Sequence, residues 1–308
     1  MNIQIMKDYI AILANMKLIN QSFEFINQES FDIISIKKFI EKCTRISYKS
    51  ENRITDNSYE KFVNMLINSK HYAGLEFGTI HLKMNLSEFD NMRRILSISR
   101  LYNNKWLQYH YVGDIAYITT NYRYYIESLQ SYEEFITDED NEYYPKRYTT
   151  KIITNRSVSH ELVRHRVFSF IQESQRYCNY SKDKFNNSVT YIIPAWLNIP
   201  ENNYINLDGD WCDANKTKIQ IDKNNNSINN LLWALNSSEQ FYILLLNTGW
   251  KPQQARTVLP NATKTEVCMC GFANAWEHFF ELRDVETVDP QMYALAKPMH
   301  QEFLKLCK

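Results

Sequence analysis

Glycine is scarce in this chain, which contains 6 glycines among 308 residues. No GxGxxG follows a strand-like segment, and neither GxxxxGKS/T nor GxSxG occurs. The usual dinucleotide loop, triphosphate loop and hydrolase elbow are therefore absent. A nucleotide bound by this chain would have to be held by side chains, arginines above all, instead of a glycine-rich backbone loop.

The chain also lacks an excess of charge of either sign, because 35 Lys and Arg balance 35 Asp and Glu. This balance argues against nucleic acid or an anionic membrane as a partner, so any anion site must be a local cluster. One such cluster stands in SHELVRHRVFSFIQESQRYCNYSKDKF, residues 159–185, which places Arg164, Arg166 and Arg176 beside His165 and several apolar residues.

Long hydrophobic runs are missing as well. No apolar run approaches the ~20 residues of a membrane span, and MNIQIMKDYIAIL at the start lacks a basic segment, a continuous apolar stretch and a cleavage site. The cysteines are scattered, which is typical of reduced thiols in a reducing compartment, so we expect a cytoplasmic protein. They are Cys43, Cys178, Cys212, Cys268, Cys270 and Cys307.

Two of these thiol positions raise questions of chemistry. CMC at 268–270 is half of a metal-site pattern, but no second Cys or His pair at ligand spacing accompanies it, so alternation on a strand explains it better and no metal is expected. Cys178 lies near cations that would favour its thiolate, yet a small, partly buried thiol is the more frequent outcome.

Helical and strand-like patterns alternate along the first half of the chain. SYEKFVNMLINS predicts a helix capped by Ser58, and TIHLKMNL at 79–86 predicts a strand. KRYTTKIITN at 146–155 predicts another strand, and a short helix follows it. Arg164-His165-Arg166 then falls at the end of that helix and the start of a loop, where binding residues are frequent.

The second half predicts a long helix ending at Gly249, a short helix stopped by Pro260, and a strand leading into an aromatic-rich helix over 265–284. Residues 198–227 are rich in Asn and Asp and predict a surface excursion. Residues 85–147 are polar and rich in Tyr and predict an elaboration on the fold. No repeat or interdomain linker is visible.

The arginine cluster admits two interpretations. Guanidinium groups match phosphate and carboxylate, and aromatic neighbours offer stacking surfaces, so the cluster suits a phosphorylated ligand with a flat ring. Alternatively, the arginines pair with Glu161 and Glu173 on a solvated surface. Spacing alone leaves both open. His165 is expected to stay neutral, because flanking arginines disfavour its protonated form.

Arg164-His165-Arg166, seven residues and then Ser174 resemble the RHR-x7-S signature of the flavin-dependent thymidylate synthases. TRISY at 44–48 and HYAGLEF at 71–77 are similar to upstream segments of that family, and QQARTVLP at 253–260 and HFFELR at 278–283 to downstream ones. The resemblance covers roughly residues 36–84 and 148–307 in family order.

This resemblance implies that the enzyme methylates dUMP to dTMP, taking carbon from methylenetetrahydrofolate and hydride from FAD reduced by NADPH. It also implies a homotetramer with sites between subunits. With the order of the elements, it predicts an α/β fold of the α+β type, in which helices flank a central mixed or antiparallel sheet. We expect one domain over residues 1–308, with an insertion at about 85–147.

By position, the resemblance assigns flavin contacts to Ser47, His71, Glu76, Arg164, His165, Arg166, Asn274 and His278. It assigns dUMP binding to Glu161, Gln172, Ser174, Gln175, Arg176, Arg256 and Arg283. Arg283 takes the catalytic role of stabilising negative charge on the uracil, so that C5 attacks the methylene carbon without an enzyme thiolate. Ser174 is then a phosphate contact and not a nucleophile.

The chain departs from the family pattern at several positions. Glu161 stands where many members have Gln, and its carboxylate would repel phosphate unless Arg164 or Arg176 compensates. Phe272 and Asn274 stand where the family often has Asn and Arg near the flavin. Two alternatives therefore remain: a catalytically idle homologue that binds nucleotides, or a family member acting on another pyrimidine nucleotide.

Overall fold

The computed structural model describes residues 15–96, 105–221 and 226–308. The segment MNIQIMKDYIAIL, part of the predicted elaboration (97–104) and part of the predicted excursion (222–225) lie outside the described residues. Within the described ranges the chain forms twelve strands and nine α-helices. The strands are β1 (Met16–Ile19), β2 (Ser22–Ile26), β3 (Thr79–Asn85), β4 (Leu107–Val112), β5 (Ile115–Asn121), β6 (Ile136–Thr137), β7 (Arg147–Asn155), β8 (Ser169–Gln172), β9 (Thr190–Ile192), β10 (Asn202–Leu207), β11 (Asp210–Cys212) and β12 (Lys264–Phe272).

The α-helices are α1 (Ile33–Thr44), α2 (Ser58–Asn68), α3 (Leu86–Ile95), α4 (Tyr122–Tyr124), α5 (Arg156–Leu162), α6 (Asn226–Asn247), α7 (Pro252–Ala255), α8 (Ala273–Arg283) and α9 (Pro290–Leu306). Short 3-10 helices occur at Arg45–Tyr48, Glu51–Arg53, Tyr72–Phe77, Gln130–Phe135, Asp183–Phe185 and Arg256–Val258, and a π-helix at Tyr125–Leu129. None of the described helices combines the length and apolarity needed to cross a membrane.

The strands form three four-stranded sheets. Sheet I has the order β11-β10-β1-β9, sheet II the order β2-β7-β12-β8, and sheet III the order β4-β5-β3-β6. Strands β1 and β9 pair in parallel, and the other ladders are antiparallel. The predicted α/β class with mixed and antiparallel pairing is confirmed, although the parallel pair lies in sheet I and the long ladder of sheet II is wholly antiparallel.

Sheet II positions the candidate site. Nearly all of β12 is buried, as expected for a strand covered on both faces, and it pairs with β7 on one side and β8 on the other. Helices α8 and α9 pack on this sheet through an aromatic core that includes Trp276, Phe280 and Phe303. The predicted strand-to-helix passage at 265–284 is confirmed by β12 and α8.

Sheet III is built largely from the predicted elaboration. Its strands enclose a separate core with helices α1, α2 and α3, which includes Ile80, Phe89 and Ile118. The elaboration therefore shares a hydrophobic core with α1, α2 and β3. The excursion contains strands β10 and β11 of sheet I, where the sequence indicated only surface loop.

Helix α2 begins at Ser58, and Asn57 is its N-cap, so the prediction of Ser58 as the cap is wrong by one residue. The Ser58 hydroxyl is engaged elsewhere, because it donates to Glu41 Oε2 on α1 at 2.8 Å, and the Thr55 carbonyl lies 3.1 Å from it as a second possible acceptor. The long helix predicted to end at Gly249 is confirmed as α6, and Gly249 has a φ of 96°.

Candidate active site

The arginine-rich segment runs from helix α5 through a tight turn into strand β8. Phe168 at the end of that turn is 2% exposed, and its ring packs edge-on against Trp276 with 4.8 Å between centroids. Gly271 on β12 makes this packing possible, since a Cβ there would lie 2.5 Å from Phe168 Cδ1. The core thereby fixes the turn that carries Arg164, His165 and Arg166.

A three-residue cluster joins this segment to the end of helix α8. Arg283 donates from Nη1 to Glu161 Oε2 at 2.7 Å and from Nε to His165 Nε2 at 3.0 Å. Glu161 and Arg283 are separated by 122 positions in sequence, and both side chains are mostly shielded from solvent. The charge of Glu161 is therefore balanced by Arg283, and not by Arg164 or Arg176, the two compensating cations considered from the sequence.

His165 is neutral in this cluster. Burial first, and then the charges of Arg283, His278 and Arg164, lower the pKa of His165 to about 4. Because Arg283 donates to its Nε2, the neutral ring acts there as a hydrogen-bond acceptor. The predicted neutral state is confirmed, but burial and Arg283 contribute more to it than the flanking arginines.

The arginines of the segment have no carboxylate partners within the described parts of the chain. Arg164, Arg166 and Arg176 are exposed, and none forms an ion pair there. Glu161 is bonded to Arg283, and Glu173 is bonded to Lys264 at 2.8 Å. The alternative of surface ion pairs with these two glutamates is therefore wrong, and the three guanidinium groups are available to bind an anion.

A second group of predicted residues surrounds the start of the loop after β8. The Ser174 N–H donates to the Ser47 carbonyl at 3.0 Å, which joins a predicted flavin contact to a predicted nucleotide contact. Gln172 donates from Nε2 to Ser159 Oγ at 2.9 Å and to Thr265 Oγ1 at 3.1 Å. Gln175 Nε2 is buried without a hydrogen-bond partner in the described structure. A ligand atom that accepts a hydrogen bond there would offset the cost of burying this donor unsatisfied.

Arg156 is a candidate binding residue that the sequence did not single out. It is partly buried, forms no ion pair among the described residues, and has its pKa lowered by burial and by the charge of Arg256. Tyr180 and Glu173 oppose this shift. A guanidinium group that no carboxylate pairs is suited to bind a phosphate. Its position at the first residue of α5 carried no sequence signal.

A buried charge network lies beneath this loop. Lys264 bonds Glu173 and Glu266, and Lys49 and Lys151 also pair with Glu266, at 3.0 and 3.2 Å. Burial alone would raise the pKa of Glu266, but the lysine charges lower it to about 2. The network ties β12 to the loop and keeps these carboxylates away from the exposed arginines.

Glu76 is 5% exposed and already holds several partners. It accepts from Ser169 Oγ at 2.5 Å and from Arg123 Nη1 at 2.8 Å, and Lys105 Nζ lies 3.5 Å from it. Arg123 and Lys105 belong to the predicted insertion, so this segment places two cations near the carboxylate, and Arg123 makes the closer contact. No pattern in the sequence connects these residues.

Asn274 and His278 line one small cavity of about 150 Å³ beside helix α8, together with Lys105 and Gln108 of the insertion. Gln108 donates from Nε2 to Asn274 Oδ1 at 3.0 Å. His71 is exposed, and in the described ranges its side chain forms no hydrogen bond or ion pair with another predicted site residue.

The thiols nearest the candidate site are buried. Cys178 is 0% exposed, as are Cys268 and Cys43, and Cys270 is 1% exposed. Burial raises the pKa of the Cys43 and Cys270 thiols. The described residues contain no cluster of His, Cys, Asp or Glu able to hold a metal ion. The CMC segment is part of buried strand β12, as predicted.

A comparison with protein families matches residues 146–307 to the family described as thymidylate synthase complementing protein. The match extends over more than half of the 308 residues. The chain belongs to this family. The matched range contains α5, β8, β12 and α8, and hence the whole Glu161–His165–Arg283 cluster. Ser47, His71 and Glu76 lie outside it.

Curated relatives of this family member align with a little under half of the chain. It is 35% identical to the flavin-dependent thymidylate synthase of Corynebacterium efficiens over 144 residues, 46% of this chain and 51% of that protein. It is 29% identical to that of Geobacter sulfurreducens over 145 residues, 47% of this chain and 50% of that protein. The chain spans about half the length of the curated relatives it matches. Among solved structures, a UMP/dUMP methylase PolB from Streptomyces cacaoi, bound with 5-Br UMP, has a TM-score of 0.43 at 15% identity, covering 95% of this chain and 92% of that one.

Proposed function

We propose that this protein is a flavin-dependent thymidylate synthase that reductively methylates dUMP to dTMP, with methylenetetrahydrofolate as carbon donor and NADPH as reductant. The observation that carries the proposal is the separation of charges around the signature segment. Arg164, Arg166 and Arg176 remain unpaired in the described structure, while their neighbouring carboxylates are bonded to Arg283 and Lys264. Curated relatives of that name support it.

The loop after β8 is the proposed nucleotide site. Arg176 and Arg256, with Arg156 beside Arg256, supply cations for the phosphate of dUMP. Ser174 and Gln175 supply hydrogen bonds, and the buried, unpartnered Nε2 of Gln175 fits this role. In this proposal Gln172 lies near the ribose of dUMP. Glu161 acts on the same nucleotide by holding Arg283, to which it is hydrogen-bonded.

Arg283 is the proposed catalytic residue. Its Nε and Nη1 are held by His165 and Glu161, which fixes the plane of the guanidinium and leaves its remaining N–H groups for a ligand. A preorganised donor aimed at developing charge on the uracil would raise the nucleophilicity of C5. His165 stays neutral and positions Arg283. Because Arg283 would stabilise the charge on the uracil, the proposed mechanism needs no enzyme thiolate.

FAD is the proposed cofactor, and when bound it would supply the hydride that originates from NADPH. Exposed, unpaired Arg164 and Arg166 fit a ligand that carries phosphates, and Glu76, His165, Asn274 and His278 extend the same region. Ser47 and His71 complete the set proposed from the resemblance. Side-chain cations would replace the glycine-rich loop that the chain lacks.

A homotetramer is the proposed assembly, with each site completed by a second copy. Support comes from large aromatic side chains exposed on and after helix α6, where Trp233 is 47%, Phe241 53% and Trp250 46% exposed. Large exposed aromatic side chains of this kind are typical of protein interfaces. The proposed organisation within each copy is one domain over residues 1–308, with the insertion at 85–147 and the excursion at 198–227.

The cytoplasm is the proposed location. All six cysteines are free, and five of them are buried, which fits a reducing compartment.

The test has two stages. The purified protein is titrated with FAD and followed by visible absorption, and tritium release is then measured from 5-labelled dUMP and, separately, 5-labelled dCMP. FAD binding with release from dUMP is the expected result. Binding without release from either nucleotide would identify an idle homologue, release from dCMP alone would identify another substrate, and no FAD binding would remove the cofactor.

A further inference from the structure

The insertion places a cation and an amide beside two predicted flavin contacts. The cavity of about 150 Å³ at the N-terminal end of α8 is lined by Lys105 and Gln108 on one side and by Phe272, Asn274 and His278 on the other. Val167, which directly follows the signature arginines, also lines it. The cavity is smaller than the ~300 Å³ typical of a pocket for a whole ligand, so it is suited to one part of a larger molecule.

We propose that Lys105 and Gln108 are cofactor-binding residues supplied by the insertion, with Lys105 bound to a phosphate of FAD. This inference rests on the proposed function. The ammonium of Lys105 lies 3.5 Å from Glu76 Oε2 and has no shorter polar contact among the described residues. Among the described residues this long contact is its only ion pair, and its side chain is 27% exposed.

Glu76 does not need Lys105. Its carboxylate already accepts from Ser169 at 2.5 Å and from Arg123 at 2.8 Å, and Arg123 is a permanent cation. Lys105 also stacks over Trp106, with its ammonium 4.2 Å from the ring centroid, and Arg123 stacks over the same ring at 5.1 Å. The aromatic ring thus holds Lys105 near the cavity mouth without neutralising it.

Gln108 and Asn274 form an amide pair across the cavity. Gln108 Nε2 donates to Asn274 Oδ1 at 3.0 Å, which couples strand β4 of the insertion to helix α8. In this pair Gln108 retains its amide oxygen and a second N–H, which suit a polar ligand group. Phe272, which is 2% exposed, provides an apolar wall next to these groups.

The experiment measures the FAD dissociation constant of Lys105→Met, Lys105→Arg and a control, Lys83→Met, by flavin fluorescence at several NaCl concentrations. Lys83 lies in the same sheet III and pairs with Glu139 at 2.9 Å, away from the cavity residues. We expect Lys105→Met to weaken FAD binding about 10-fold or more, as for loss of a charge-assisted hydrogen bond, and to make it less sensitive to salt. Lys105→Arg should largely restore both, and Lys83→Met should change neither.

The outcomes separate this inference from the proposed function. If the unmodified protein binds no FAD, the proposed function fails first. If it binds FAD and Lys105→Met stays within about twofold of it, the inference is overturned. Weaker binding with an unchanged salt dependence would also overturn it, because Lys105 would then act through packing against Trp106 and not through its charge. Gln108→Leu, expected to weaken binding without altering the salt dependence, checks the amide pair independently.

Discussion

Replacement of Arg283 by Lys tests whether the guanidinium acts through its geometry or only through its charge. The fork is held at two points, at 2.7 Å by Glu161 and at 3.0 Å by His165, and a lysine ammonium cannot reproduce both bonds with the same remaining donors. Loss of one charge-assisted hydrogen bond corresponds to about 1.5–3 kcal/mol, or about 10- to 200-fold in rate. Removal of a preorganised donor to developing charge typically costs about 10²–10³-fold, so we expect a fall in kcat of about 100-fold.

Steady-state kinetics with dUMP as the varied substrate provide the assay. We expect Arg283→Lys to lower kcat far more than it changes dUMP affinity, because the interaction strengthens as charge develops. Arg176→Ala is the matched comparison, since a phosphate contact is made equally in the ground and transition states and its loss should mainly raise KM. If Arg283→Lys altered KM alone while kcat held, Arg283 would be a positioning residue and the electrostatic argument would be refuted.

Glu161→Gln separates orientation from charge at the same site. The amide keeps an acceptor for Arg283 but removes the negative charge that balances it. If Glu161 mainly orients the guanidinium group, Glu161→Gln should lower kcat by about 10-fold or less, which is a smaller loss than that expected for Arg283→Lys. An equal loss in both variants would mean that the charge of Glu161 itself is required.

Three further predictions concern stability and the thiols. Glu266→Gln should lower the free energy of unfolding at pH 7, measured by urea unfolding, by about 3 kcal/mol. Because the native pKa of Glu266 is depressed to about 2, the stabilisation by Glu266 should be lost as the pH falls from about 4.5 to 2. Burial raises the pKa of Glu239 to about 7, so its contribution to the stability of the fold is complete below about pH 4.5 and is lost as the pH rises through about 7. Glu239→Gln keeps an acceptor for the Val189 N–H, and it should make the melting temperature less dependent on pH between about pH 5 and pH 8. Cys178→Ala should keep turnover within about 10-fold, because the thiol is fully buried, and loss of all activity with FAD still bound would favour a cysteine nucleophile.

The local elements were readable from the sequence because their signals are local. The strand-to-helix passage at 265–284, the short helix before Arg164 and the helix ending at Gly249 depend on periodicity and caps within a few residues. Pairing partners were not readable, because the order β2-β7-β12-β8 joins strands whose partner residues are 95 to 131 positions apart. The three-sheet arrangement followed only from the structure.

The candidate site was predictable where one segment carries it and unpredictable where side chains meet from distant segments. The spacing of Arg164, His165 and Arg166 identified the segment, but not that Glu161 would bond Arg283 in place of its arginine neighbours. Lys105, Gln108 and Arg123 were missed because their part in the site depends on how sheet III sits beside Glu76 and Asn274. Such contacts depend on tertiary packing and leave no periodic signal.

The arrangement also explains how a chain with no net charge can form a cationic site. Its carboxylates nearest the signature, Glu161 and Glu173, are each bonded to a cation from the C-terminal part of the chain, Arg283 and Lys264. Those pairs are shielded from solvent, where salt screens them less than it would an exposed pair. The exposed arginines consequently keep their charge for a ligand, and removing either inner cation should weaken anion binding indirectly by releasing a carboxylate toward them.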